Sequence, residues 1–169
     1  MSEEVEVLVS GRTEGPVQDE ILVLRLLDGR VELVGPCGPD PWYVEVAEDE
    51  DPVEVVDRMC RTNLGDPLLV HSTSWRRARG GVVLTFVVVM PDGFEPSYAG
   101  VPVTRTELAR SDATAAPPRI DASQVIEHGL RHMQWLAGDD AVVGRTLSED
   151  WRSVLSGYQP EPFRNLKGT

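Results

Sequence analysis

Residues 48–65 read EDEDPVEVVDRMCRTNLG and predict a helix with both ends marked. Asp51 suits the N-cap position, and Pro52 follows at the first helical position, where its missing N–H costs no hydrogen bond. Glu54 stands three residues after Asp51, at the spacing of a capping-box partner. Gly65 is expected to end the helix, because glycine adopts the left-handed conformation of a C′ residue without strain.

Apolar residues recur at helical spacing within this segment and predict the face that packs against the rest of the protein. They are Val53, Val56, Cys60 and Leu64. The segment is therefore expected to be an amphipathic helix that lies on one face of a sheet.

The same segment resembles the Nudix box, which reads Gly, five residues, Glu, seven residues, then Arg-Glu-apolar-x-Glu-Glu-x-Gly-apolar. With the last glycine placed on Gly65, the first glutamate falls on Glu50, the arginine on Arg58 and the apolar position on Cys60. The order of predicted elements over residues 18–140 also resembles that of a Nudix domain. The resemblance implies an α/β (α+β) fold, a Nudix-like mixed sheet sandwiched by helices, with an extra C-terminal helix.

The box positions that bind metal in the Nudix family hold other residues in this chain. Met59 replaces the glutamate after the arginine, and Thr62 and Asn63 replace the paired glutamates. The box also departs at Val44, in place of the opening glycine, and at Asp66, in place of the last apolar residue. Mg²⁺ and Mn²⁺ require oxygen ligands, and a thioether is a poor substitute. The resemblance therefore implies a domain that binds a ligand or a partner protein without hydrolysing it, with no metal, cofactor or catalytic residue.

Three acidic residues at the start of the helix leave a second hypothesis open. Glu50, Glu54 and Asp57 follow each other at spacings of four and three residues. They would hold Mg²⁺ or Mn²⁺ in a divergent pyrophosphohydrolase that acts on a nucleoside diphosphate-linked substrate. The simpler interpretation is that acids near a helix N-terminus favour its dipole and that Asp57 pairs with Arg61 on the helix surface. A third hypothesis is an α+β interaction or dimerisation domain unrelated to Nudix proteins.

Strand-like runs flank the helix on both sides. The runs 21–27 and 31–34 enclose the turn Asp28-Gly29-Arg30, a hairpin signal. VVLTFVVVM (82–90) is continuously apolar and β-branched, which predicts a central strand covered on both faces. Further strands are predicted at 5–10, 42–47, 68–77 and 101–105.

The C-terminal third is predicted to be helical. Asp121 is expected to cap a helix over about 122–137, and Thr146 another over about 147–156. An Ala/Pro-rich stretch at 113–118 reads as a linker or loop. We expect a single domain over residues 1–157, with a helical part over about 121–157, and an irregular tail over 158–169.

One dense basic run suggests where a ligand binds. Trp75, Arg76, Arg77 and Arg79 lie near the end of a predicted strand. We predict that Arg76 and Arg77 bind a ligand, since the arginine fork matches the geometry of phosphate. The alternative is a charged hairpin tip that discourages strand pairing.

His128 and His132 stand four residues apart on a predicted helix, the spacing of two zinc ligands on one face. No acid lies between them, and His71, the remaining histidine, is remote in sequence. We predict that they bind no structural zinc, because two ligands do not close a tetrahedral site.

Charge and composition restrict the partners. The 169 residues carry a formal net charge of −12 with a pI near 4.6, which argues against nucleic acid and against an anionic membrane. We find neither a signal peptide nor an apolar run of about 18 residues, so we expect a cytoplasmic protein. The expected partner is a small molecule or a protein, and homodimer formation is left open.

Overall fold

The computed structural model describes residues 17–78, 80–106 and 121–160. Four sequence-based features lie wholly or partly outside this description: the predicted strand 5–10, Arg79 of the basic run, the stretch 113–118, and residues 161–169 of the tail. None of the helices among these residues combines the length and the apolar character that a membrane span requires.

A mixed sheet is built around its first strand, β1. Its strands are β1 (Val17–Leu27), β2 (Arg30–Val34), β3 (Trp42–Glu45), β4 (Leu69–Ala78), β5 (Gly81–Val89) and β6 (Gly100–Pro102). The order is β4-β5-β1-β2-β6, and β3 pairs with the first half of β1. Strands β1 and β5 are parallel, and the other pairs are antiparallel. The predicted hairpin is confirmed at β1–β2, and the predicted central strand at β5, which lies between β4 and β1.

Helices cover both faces of this sheet. They are α1 (Pro52–Asn63), α2 (Ala122–Asp139), α3 (Ala141–Thr146) and α4 (Glu149–Leu155). One apolar cluster joins α1 to the sheet residues Ile21, Val23, Phe86 and Val88. The other joins α2–α4 to their neighbours Leu22, Leu24, Val87 and Val89. Alternate residues of β1 and β5 therefore serve opposite cores, and the predicted α/β class with a sheet between helices is confirmed.

The face that helix α1 packs against the sheet includes most of the predicted stripe, but it also takes in Val55 and Met59 and leaves out Val53. The buried residues are Val55, Val56, Met59 and Cys60. Val53 is 49% exposed, whereas Leu64, partly buried at the C-cap, packs against the same cluster as predicted. The predicted ends are correct, since Asp51 accepts a hydrogen bond from the amide of Val53 and Gly65 has a positive φ.

The C-terminal helices differ from the prediction at one junction. The cap of α2 is as predicted, with the side chain of Gln124 accepting the Asp121 amide at 3.1 Å. Thr146 ends the short helix α3 and does not cap α4. Ser148 caps α4 instead, because its hydroxyl accepts the amide of Trp151 at 3.2 Å.

Candidate functional site

The positions that fit the box pattern support each other in the structure. Arg58 donates to Glu50 at 2.5 Å, and the amide of Ala47 donates to the second oxygen of Glu50 at 3.1 Å. The hydrogen bonds from Arg58 and Ala47 lower the pKa of Glu50. Glu50 therefore ties the loop before α1 to the middle of the helix, and Gly65 ends that helix.

The positions that depart from the box have no carboxylate to offer. Met59 is fully buried in the core between α1 and the sheet. The side-chain amide of Asn63 donates to the carbonyl of Met59 at 2.9 Å, and Thr62 is exposed. This part of α1 presents an apolar contact and neutral polar groups where a divalent ion would need oxygen anions.

The acidic residues of the alternative metal site have separate surroundings. Glu50 is held by Arg58, while Asp57 pairs with Arg61 at 3.1 Å. Glu54 is exposed. Across the described ranges, no group of three or more His, Cys, Asp or Glu side chains is arranged to hold a metal.

The basic run is divided by a β-bulge in β4. The register against β5 shifts between Ser72 and Ser74, so that Trp75 pairs with Leu84 and Arg76 with Val83. Leu84 packs against the α1-side cluster, and its cross-strand partner Trp75 therefore lies on that side of the sheet. Arg77 follows two residues later and lies on the same side as Trp75.

Arg76 lies on the opposite side of the sheet, in a buried polar network. Its two terminal nitrogens donate to the two oxygens of Glu20 at 2.8 and 2.7 Å. Tyr43 and Thr85 donate to the same carboxylate at 2.8 and 3.1 Å. Burial alone would raise the pKa of Glu20, but the hydrogen bonds and charge of Arg76 outweigh burial and lower it. The structure thus separates Arg76 and Arg77, which the sequence had paired as ligand-binding residues.

Asp19 is a buried carboxylate that sequence reasoning did not single out. Its side chain is fully buried, and neither oxygen has a hydrogen-bond partner among the described residues. It is flanked by Val44 of β3 and Leu84 of β5, on the side of the sheet that α1 covers. Burial, reinforced by the charges of Asp51 and Glu50, raises the pKa of Asp19 to about 7. The sequence contains one indication of this site, because Asp19 and Glu20 are adjacent acids directly before the apolar run of β1.

His71, which is remote from the other histidines in sequence, meets one of them in the fold. Its Nε2 lies 3.1 Å from Nε2 of His132, which is almost fully buried. The ring of Trp135 stacks on His132 with centroids 5.6 Å apart. Burial lowers the pKa of His71, against the opposing charge of Asp140. The absence of structural zinc at His128 and His132 stays a prediction, which elemental analysis of untagged protein tests.

Comparison with known proteins identifies the fold but no sequence family. No protein-family model matches the chain, and no curated protein matches it. The structure is similar to crystal structures of Shewanella oneidensis NrtR, which has a Nudix-like domain. For one of them the TM-score is 0.55 at 18% identity, over 86% of this chain and 79% of that chain. The chain has a Nudix-like fold.

A second NrtR structure contains DNA. This complex with a 27mer DNA matches with a TM-score of 0.51 and 16% identity, over 88% of this chain and 78% of that chain. A Caenorhabditis elegans Ap4A hydrolase matches at 16% identity over 53% of this chain and 81% of its own, with a TM-score of 0.37.

The sequence-based exclusion of nucleic acid is therefore wrong. A protein that shares the Nudix-like fold over most of this chain has been crystallised with DNA. The net charge of −12 is a sum over the whole molecule, whereas nucleic acid contacts a local surface. An acidic total does not exclude such a surface.

Proposed function

We propose that this chain is a non-hydrolytic Nudix-like domain that binds a ligand or a partner protein. The observation that carries the proposal is the replacement of the box glutamates by Met59, Thr62 and Asn63. Met59 is part of the apolar core and does not face a site where it would bind a metal. Hydrolysis of a diphosphate requires groups that neutralise the developing charge and generate a water nucleophile. The C-terminal half of α1 supplies neither.

A substrate screen tests this proposal. Nucleotide sugars, dinucleoside polyphosphates and nucleoside triphosphates would be incubated with the protein and Mg²⁺ or Mn²⁺. We expect turnover below about 1 s⁻¹, the low end of ordinary enzymes. Turnover above that rate would contradict the proposal. Its loss in Glu54→Gln or Asp57→Asn would establish the shifted metal site in its place.

Nucleic-acid binding is a second candidate function. It is favoured by the structural similarity to NrtR. The structure of NrtR in complex with a 27mer DNA matches 88% of this chain. Binding of a labelled 27-base-pair duplex would be measured at several salt concentrations. Affinity that falls with salt and differs between sequences supports this function, and absence of binding at low salt removes it.

A further inference from the structure

One of the four tryptophans, Trp75, is exposed on the surface beside the bulge of β4. Trp75 is 67% exposed, more than any other large hydrophobic side chain in the described residues. The other three tryptophans are engaged: Trp42 and Trp151 are buried, and Trp135 stacks on His132. Folding gains little from a tryptophan held in water, so the exposed ring of Trp75 is available to contact a ligand.

The bulge is what places Trp75 there. Thr73 and Arg76 both lie on the α2 side of the sheet, Thr73 against Gly129 and Arg76 on Glu20. Residues three apart face opposite sides of a regular strand, and one extra residue brings them to the same side. The same shift turns Trp75 and Arg77 together to the α1 side.

Trp75 and Arg77 lie on one face of β4 next to apolar side chains of β5, and the pair is here termed the β4 platform. They lie two residues apart, or about 7 Å along the strand. Their cross-strand partners Leu84 and Val82 are half-buried and lie beside them on the same face of the sheet. Arg77 is exposed, and within the described residues no carboxylate forms an ion pair with it. The platform thus offers an aromatic ring face beside a free guanidinium group.

We propose that the β4 platform binds a nucleotide unit, with the base stacked on Trp75 and the phosphate held by Arg77. An aromatic face binds bases of any sequence by stacking, and the arginine fork matches phosphate oxygens. Because Trp75 and Arg77 are neighbours on one face of β4, a single nucleotide can contact both side chains. This proposal rests on the function proposed above, in which the domain binds its ligand without hydrolysing it.

A protein strand is a poorer occupant of the same edge. The bulge between Ser72 and Ser74 interrupts the row of backbone groups that an added strand would pair with. The charge of Arg77 further discourages edge-to-edge pairing. A nucleotide needs only the two side chains and no regular backbone edge.

Titration with AMP and with a single-stranded 12-mer of deoxyadenosine tests the proposal on the full chain. Tryptophan emission is expected to be quenched, because Trp75 is the solvent-exposed fluorophore. Anisotropy of a labelled 12-mer and its competition by AMP give affinities independently of Trp75. A 12-mer at least tenfold tighter than AMP identifies a strand as the ligand, and equal affinities identify a free nucleotide. Either result supports the platform.

Variants decide whether the platform is the site. Trp75→Ala is expected to weaken binding at least tenfold, and Trp75→Phe to retain most of the affinity. Arg77→Glu is expected to weaken binding and to reduce its salt dependence. Val142→Ala and Arg152→Glu change an exposed apolar and an exposed basic residue on α3 and α4, and should leave the affinity unchanged.

Three outcomes would overturn the proposal. They are no binding of AMP or the 12-mer at millimolar concentration, wild-type affinity in both Trp75→Ala and Arg77→Glu, and equal affinity for single-stranded and duplex 12-mers. None of them affects the non-hydrolytic assignment, which only turnover in the substrate screen contradicts.

Discussion

Arg76 and Arg77 are identical side chains at adjacent positions, but their physical situations differ. Arg76 neutralises Glu20, whose side chain is only 4% exposed, whereas Arg77 extends into solvent. Removing one partner of a buried ion pair leaves the other charge without compensation, which costs far more than the pair itself contributes.

We therefore expect Arg76→Ala to lower the free energy of unfolding by about 3–5 kcal/mol. The matched variant Arg77→Ala should change it by less than about 0.5 kcal/mol, as surface substitutions usually do. Urea denaturation of both proteins measures the difference. Equal effects would show that Arg76 is not the structural residue that its contacts indicate.

Asp19 gives the stability of the protein a specific pH dependence. Its pKa is about 7 in the folded protein against 3.8 for a free side chain, so the folded state retains a proton that the unfolded state releases. Stability is therefore lost as the pH rises from about 4 to about 7 and then stays level. Three pKa units at 1.36 kcal/mol each correspond to roughly 4 kcal/mol.

The variant Asp19→Asn isolates this contribution, because it keeps the shape and removes the titration. We expect the difference in unfolding free energy between Asp19→Asn and wild type to grow in favour of the variant between pH 4 and pH 7. Asp49→Asn, in the exposed loop before α1, serves as the control. A difference that does not vary with pH would contradict a buried, protonated Asp19.

At the scale of single elements, the sequence predicts ends better than faces. The caps of α1 are encoded locally by Asp51 and Gly65, and both were predictable. The buried face of α1 depends on how the helix lies on the sheet, and there Val55 and Met59 are buried while Val53 is exposed. The bulge of β4 was not predictable, since it arises from the joint burial of Thr73 and Arg76 by groups distant in sequence.

The contact between β4 and α2 depends on a histidine pair that the sequence separates. His71 and His132 share one hydrogen bond at 3.1 Å, in which one ring donates and the other accepts. Two protonated rings would both be donors and would repel each other. Burial also lowers the pKa of His71, so the folded state holds the neutral ring where the unfolded state binds a proton. The stability that the neutral ring of His71 contributes is therefore complete above pH 6.5 and is lost as the pH falls.

We expect the ring of His71 to titrate below pH 6.5 in an NMR titration of the folded protein. Loss of one resonance in His71→Gln assigns the signal. The stability of wild type should fall more steeply than that of His71→Gln as the pH drops below 6.5. A midpoint at or above 6.5 for His71 would contradict the buried pair.

At the scale of the whole molecule, the order of elements was predictable and their assembly only in part. The uninterrupted apolar run of β5 predicts a strand that is covered on both faces. It does not predict which elements cover each face. The parallel pairing of β1 with β5, and the separation of α1 from α2–α4 by the sheet, depend on contacts between distant segments. The net charge of −12 gave the wrong expectation about nucleic acid, since a total charge has no location.

Val87 tests the central position of β5, because it joins the sheet to the C-terminal helices. Its side chain is fully buried between β1 and β4, on the side that α2 covers at Gly129. A Cβ atom added at Gly129 would lie 2.8 Å from a methyl group of Val87, so the two elements are in close contact. An aspartate at position 87 would bury an unpaired charge there, away from water.

We expect Val87→Asp to abolish cooperative folding, seen as loss of a thermal transition by circular dichroism. Val142→Asp makes the same change at a site that is 64% exposed and should melt much as wild type does. A soluble Val87→Asp protein with a cooperative transition would contradict the burial of β5 between its neighbouring strands and α2.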